Sequence, residues 1–169
     1  SDSGMPTALV ALDLSAAFDT IDHGILLNRL DISFGVPGPV WLWLQSYLSD
    51  RSQQVSMAGQ SSPPTKCTVG VPQGSVLGPL LFSLHIAPVG HLMSTQGIMH
   101  QQYVDDTQLY IELASSDPQN AIQKLENCMS KLHVWFCLNS LALNPGKSEV
   151  IVFGTNQRLR SFPVPSTAN

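Results

Sequence analysis

The chain has 169 residues, 43% of them hydrophobic and 12% charged, which is enough length and apolar content for one domain with a buried core. Its formal charge of −4 argues against a free-standing nucleic-acid binder, which needs a basic face to neutralise phosphates. Three cysteines, Cys67, Cys128 and Cys137, lack metal-ligand spacing and read as thiols of a reducing, intracellular compartment, nucleus or cytoplasm. The opening "SDSGMPTALV" has no basic n-region and is not a signal peptide. The apolar tract 76–93 is interrupted by Gly78, Pro79, Pro88 and Gly90, which speaks against a membrane span.

In chain order, "TALVALDL" alternates and then saturates with apolar residues, as a buried strand does. "SAAFDTIDHGILLNRL" carries apolar residues at helical spacing, with Ser15 as the expected N-cap. A second helix is expected after the Pro-Gly-Pro punctuation, with Trp41, Leu44 and Leu48 on one face. "SQQVSMAG" and "TKCTVGV" read as a hairpin-like pair of strands. "GSVLGPLLFSLHIAPVGHLM" is mostly helical, with breakers towards its end. Two β-rich runs flank Asp105 and Asp106, so "DD" reads as the hairpin turn. Asp117 and Pro118 open the clearest amphipathic helix, with Ile122, Leu125, Met129 and Leu132 in register, and "SEVIVFG" reads as a last strand. The order β-α-α-β-β-α-β-β-α-β points to an α+β two-layer domain.

The acidic residues carry the chemistry. A turn lifts Asp105 and Asp106 out of the sheet, although aspartate favours turns for purely local reasons as well. Asp13 ends the most apolar strand, where a carboxylate costs several kcal/mol unless it is paired or binds a cation. The chain holds eight Lys and Arg, and the nearest to Asp13 in sequence is Arg29. A divalent cation is therefore the economical partner; hard carboxylate oxygens suit Mg²⁺, and paired ions suit in-line phosphoryl transfer. Asp19 and Asp22, with His23, read as first-turn, capping and salt-bridge residues of the helix. In "GVPQGSVLGPLLF", bare backbone near Gln73 and Gly74 before a helix favours close approach of a phosphate or base.

Taken together, these segments resemble the palm of a reverse transcriptase of the LINE-type, non-LTR retrotransposons, in the jockey-like range. "ALDLSAAFDTIDH" looks like motif A, "GVPQGSVLGPLLF" like motif B, "QYVDDTQLYI" like motif C, and "LALNPGKSEVIVFG" like motifs D and E, in the family's order. The resemblance implies an antiparallel sheet packed on helices with a ferredoxin-like core, spanning residues 1–154, and a tail, 155–169, leading towards a thumb. It implies RNA-directed DNA polymerase activity with RNA template, DNA primer and dNTPs as partners and no membrane. It also implies two Mg²⁺ ions, replaceable by Mn²⁺, on Asp13 and Asp105, with Asp106 assisting and the Leu14 carbonyl available. Phe18 would be the steric gate against a 2′-hydroxyl, and Gln73 and Gly74 would meet the incoming nucleotide. Tyr103 would pack near the primer terminus, and Lys147 would be a proton donor to pyrophosphate. Val104 stands where the family more often has alanine, which is conservative if the position lies in a strand. The basic fingers segments and the thumb are expected to be absent from these residues, in keeping with an acidic floor that lacks its basic walls. The alternative implied by such a truncation is an inactive or domesticated remnant acting as an interaction protein. An aspartyl-phosphate acceptor is disfavoured, because there the acidic pair precedes the single aspartate.

Overall fold

The computed structural model describes residues 5–113 and 117–155. Strand β1 (Thr7–Leu12) is followed by a two-residue β2 (Leu14–Ser15), then helices α1 (His23–Ile32) and α2 (Gly38–Leu48). Next come β3 (Arg51–Gln53), β4 (Ser56–Met57), β5 (Gln60–Ser61) and β6 (Thr65–Cys67), then helix α3 (Leu77–Thr95). The hairpin of β7 (Met99–Tyr103) and β8 (Asp106–Glu112) precedes α4 (Pro118–Leu138), β9 (Ala142–Leu143) and β10 (Glu149–Phe153). The main sheet has the order β10-β1-β8-β7 with every neighbouring pair antiparallel, and helices contact one of its faces. This is the α+β palm arrangement, with the strand order of the split βαβ, ferredoxin-like core.

The period of two in β1 explains the layering. Ala8, Val10 and Leu12 are buried, and their partners across β8 are Ile111, Leu109 and Thr107, all buried as well. These side chains meet Phe82, Val89 and Met93 of α3 and Cys128, Leu132 and Phe136 of α4 in one core cluster. Burying a phenylalanine such as Phe82 or Phe136 contributes roughly 2–3 kcal/mol. The buried line of α4 centres on Ala121, Cys128, Leu132 and Phe136, with Ile122, Leu125 and Met129 at its margin. Asp117 caps α4 by accepting from the Asn120 amide at 3.0 Å, with Pro118 at the first turn, where its missing N–H costs nothing.

Helix α3 is 19 residues long and apolar enough, by length and composition, to cross a membrane. The breakers expected in it do not end it. Pro88 lies inside the helix, whose Leu81, Phe82, His85, Ile86, Val89 and Met93 are buried in the core. Tertiary packing outweighs the lost backbone bond, which costs about 3 kcal/mol.

Two other expectations are corrected. Ser15 does not cap α1; it lies in β2 and pairs with Ala142 of β9. The cap is Asp22, whose carboxylate accepts from the Ile25 amide at 2.8 Å, so Asp19 precedes the helix instead of sharing its face. The hairpin turn is Val104-Asp105 and not Asp105-Asp106, because Tyr103 pairs with Asp106 and extends the ladder by one rung. Val104 therefore occupies a turn position with φ of 55°, not a strand, and a β-branched residue is strained there.

A strap ties the approach to α3 onto the segment before α1. The Gly70 amide donates to the Ile21 carbonyl and the Val71 amide to the Phe18 carbonyl, each at 2.8 Å. The His23 ring bonds the Gly70 carbonyl at 2.7 Å. Gly70 has φ of 84°, and a Cβ there would lie 2.9 Å from the Asp19 carbonyl oxygen. Glycine is required at this position both for its conformation and for its lack of bulk.

Below the sheet, Arg29 of α1 reaches across to α3 and to the end of α4. Its guanidinium donates to the His85 carbonyl and the Asn139 side-chain oxygen, and lies over the Trp135 ring at 5.2 Å. The buried His85 ring bonds the Asn139 carbonyl at 3.3 Å. Burial, together with the charge of Arg29, lowers the His85 pKa to about 4.

Two predictions follow from this packing. Gly70→Ala should lower the unfolding free energy by about 2 kcal/mol or more, read from urea melts; an unchanged midpoint would contradict the strap. His85 is depressed in the native state, so the unfolded chain takes up its proton first as pH falls. Its contribution is intact above about pH 6.5 and is lost down to about pH 4, for a total on the order of 3 kcal/mol. Assigned histidine NMR shifts should show His85 untitrated at pH values where exposed histidines are already charged.

Candidate active site

Antiparallel pairing of β1 with β8 ends at Leu12 opposite Thr107, which sets the next residue, Asp13, beside the β7–β8 turn. Asp13 is half-buried and held through its backbone. Its amide donates to Ser148 Oγ at 3.1 Å, and its carbonyl accepts from the Asn144 amide at 2.8 Å. Ser148 Oγ in turn donates to the Asn144 carbonyl at 2.8 Å. The chain beyond Asp13 leaves the main sheet to pair with β9, so the loop 144–148 grips the strand end from one side. With its backbone bonds accounted for, the Asp13 carboxylate is left for the cleft.

That cleft, of about 550 Å³, is lined by Asp13, Leu14, Phe18, Gln73, Asp105 and Lys147, among others. Neither Asp13 nor Asp105 makes an ion pair with another described residue. Arg29, the nearest cation in sequence, is committed to His85 and Asn139. Asp106 is exposed at the first position of β8 and does not line the cleft, and neither do Gly74 or Tyr103. Tyr103 is 75% exposed at the end of β7, across from Asp106. Gly74 is exposed, with φ of 75°.

Phe18 stacks on Phe82 of α3, with ring centroids 5.0 Å apart and planes at 29°, while lining the cleft. It thus belongs to the core margin and to the cleft at once. Gln73 donates its side-chain amide to both carboxylate oxygens of Asp19, at 3.0 and 3.1 Å. That contact fixes Gln73 at the cleft and gives Asp19 a role other than a salt bridge. Ser75 closes the turn before α3 by accepting from the Gly78 amide and donating to the Pro72 carbonyl.

The donor set suits a hard divalent cation. Asp13 and Asp105 supply carboxylate oxygens to one cleft that contains no thiol or imidazole. Among the described residues, no group of three or more His, Cys, Asp or Glu gathers for a metal, so the side chains offer a two-carboxylate floor and not a closed cage. Sequence reasoning missed Asn144 and Ser148, which hold the Asp13 backbone; the "NPGKS" turn signal marked a loop but could not show which strand end it grips.

Comparison with known proteins bears on this geometry. The reverse transcriptase (RNA-dependent DNA polymerase) family matches residues 1–163. The chain is 34% identical over 145 residues to the probable RNA-directed DNA polymerase from transposon BS of Drosophila melanogaster, covering 82% of this chain and 16% of that protein. It is 35% identical over 102 residues to the RNA-directed DNA polymerase from mobile element jockey of the same species, covering 57% and 11%. The chain thus spans a small part of these relatives. Among solved structures, telomerase from Candida albicans in complex with a fragment of telomeric RNA superposes with a TM-score of 0.67 at 14% identity, over 86% of this chain and 27% of that one. Apo telomerase from Candida tropicalis gives 0.65 at 13% identity, over 90% and 32%. At such identity the structural likeness concerns the fold. The motifs, the sheet order and these matches agree: the chain belongs to the reverse transcriptase family, on its jockey-like LINE branch.

Proposed function

We propose that residues 1–154 act as the palm of an RNA-directed DNA polymerase, adding deoxynucleotides to a primer 3′-hydroxyl on an RNA template. The observation that carries this reading is the meeting of Asp13 and Asp105, distant in sequence, in one cleft with Phe18, Gln73 and Lys147. Asp13 and Asp105, with Asp106 at the adjoining strand start and the Leu14 carbonyl, would hold Mg²⁺ ions, or Mn²⁺ in their place. When bound, such ions lower the pKa of the attacking hydroxyl and neutralise charge on the triphosphate.

The chain's own residues position and select. The Phe18 ring, backed by Phe82, presents a rigid wall that leaves no room for a 2′-hydroxyl. Gln73, anchored on Asp19, orients the nucleotide at the same cleft. Gly74 adds bare backbone for close approach of the paired bases. Lys147 brings positive charge to a cleft floored by carboxylates, where it offsets a triphosphate and donates a proton to departing pyrophosphate. Tyr103, exposed beside the turn, gives the primer terminus an aromatic surface. The likeness to the jockey and transposon BS polymerases supports these roles, and the anchoring of Asp13 by the 144–148 loop supplies the rigidity that positioning demands.

Mn²⁺ binding to the chain itself, followed by electron paramagnetic resonance, should be weakened at least tenfold by Asp13→Asn or Asp105→Asn and unaffected by Asp19→Asn. With fingers and thumb joined to the chain, Asp105→Asn should reduce primer extension on poly(rA)/oligo(dT) by about 100-fold or more. Retention of full extension in that variant would refute the assignment. Phe18→Ala in the same protein should relax discrimination between dNTP and rNTP by roughly 10- to 200-fold, measured as the ratio of kcat/KM values.

A further inference from the structure

Helix α4 carries a pair of side chains that the cleft does not use. His133 and Cys137 stand one turn apart on the same face of the helix, and both are exposed. Nε2 of the His133 ring lies 3.8 Å from Cys137 Sγ. Bonds of about 2.3 Å to sulfur and about 2.1 Å to nitrogen, at a tetrahedral angle, set two ligands of one zinc ion about 3.6 Å apart. The pair is thus already spaced as two ligands of a soft cation. Its base is rigid, because Leu132 and Phe136, each one residue before a member of the pair, are fully buried. The cysteines show no metal spacing among themselves because the second ligand here is a histidine. Ser130, on the same face, spends its hydroxyl on the Glu126 carbonyl at 3.0 Å, and Glu126 stands about 10 Å along the axis before His133. Every histidine and cysteine of the chain lies among the described residues, and no third His, Cys, Asp or Glu of that set gathers with the pair.

We propose that His133 and Cys137 form half of a zinc site that the same two residues of a second copy of this chain complete. Two histidines and two cysteines close a tetrahedral structural site, whereas one pair leaves half of the coordination open. Charge favours the second copy over water. Each thiol gives its proton to solvent as the metal binds, and two thiolates neutralise Zn²⁺, so the shared site carries no net charge. A single pair with water would leave a positive charge beside apolar side chains, which is costly once they are covered. Such side chains are present: Val134 and Leu138, each one residue after a ligand, are 56% and 73% exposed. They repeat the four-residue spacing of the ligands and form an apolar stripe along them, which the partner helix would cover. Because each copy offers the same two residues, the assembly closes at two chains. None of this draws on the polymerase reading, which calls for carboxylate oxygens and a hard cation; thiolate and imidazole select zinc instead.

The test is titration of the whole chain, kept reduced, with Co²⁺ as a spectroscopic probe and Zn²⁺ as its competitor. Cobalt should give thiolate charge-transfer absorption and the visible bands of tetrahedral coordination, saturating at one ion per two chains. Zinc should bleach these bands, and excess Mg²⁺ should not. In sedimentation equilibrium, zinc should double the mass from 18.3 kDa, and EDTA should reverse the change. Cys137→Ser and His133→Ala should each weaken cobalt binding by about 100-fold or more and remove the dimer. Cys67→Ser should alter neither. Leu138→Asp, with both ligands intact, should raise the dimer dissociation constant by about tenfold or more. Circular dichroism and melting of each variant separate loss of binding from loss of fold. Absence of tetrahedral bands in the folded wild-type chain, their persistence in Cys137→Ser, or saturation at one ion per chain would overturn the shared site. So would a dimer indifferent to Leu138→Asp, and a dimer broken by added reductant but not by EDTA would overturn it in favour of a disulfide.

Discussion

The antiparallel ladder between β1 and β8 is the constraint on which the rest depends. Its register buries Ala8, Val10 and Leu12 against the same layer as Leu109 and Ile111, and that same register runs out at Leu12 and Thr107. A slip of one residue would turn the apolar set to the open face and carry Asp13 away from the turn. Core burial, worth many kcal/mol in sum, therefore holds in place the two carboxylates that line the cleft.

Around this ladder, several described polar side chains bind backbone at the ends of elements. Asn144 and Ser148 take up the amide and carbonyl of Asp13, and the 70–71 strap takes up the carbonyls of Phe18 and Ile21. Arg29, His85 and Asn139 join α1, α3 and the end of α4, and Asn139 stands three residues before β9, which grips β2. The contacts on Asp13 and the 70–71 strap act at the boundaries of elements, whereas Arg29 and His85 lie inside α1 and α3. Two of the five described non-glycine residues with positive φ, Ala16 and Val104, at 47° and 55°, lie close in sequence to Asp13 and Asp105. Strain of that kind persists only where surrounding packing over-determines the backbone.

The acidic cleft and a second one that shares Gln73 with it differ in the charged residues that line them. One has a carboxylate floor with a single lysine, Lys147; the other has Arg51 and Lys66 on its wall. Gln73 stands between them, tethered by Asp19. The low overall charge content of the sequence concealed this, since averaging −4 over 169 residues says nothing of where individual charges are placed.

The sequence by itself determined the elements with strong local signals: the apolar strand before Asp13, the capped and amphipathic α4, and the four motifs in their order. It also marked Asp13, Asp105 and Gln73, because a carboxylate ending an apolar strand, a paired-acid turn and a glycine-rich turn before a helix are local patterns; Phe18 and Lys147 were marked through the family resemblance. What only the tertiary structure decided lies in contacts between distant segments. Ser15 has the chemistry of a cap but is drawn into an extended pair with Ala142, so capping passes to Asp22. The turn of the β7–β8 hairpin moves back onto Val104 because Tyr103 and Asp106 complete a rung, which leaves Asp106 on the strand and outside the cleft. The partners of Asp13, Asn144 and Ser148, lie more than a hundred residues away in the chain; pairing at that separation is set by the burial of the sheet as a whole, which no local pattern of residues encodes.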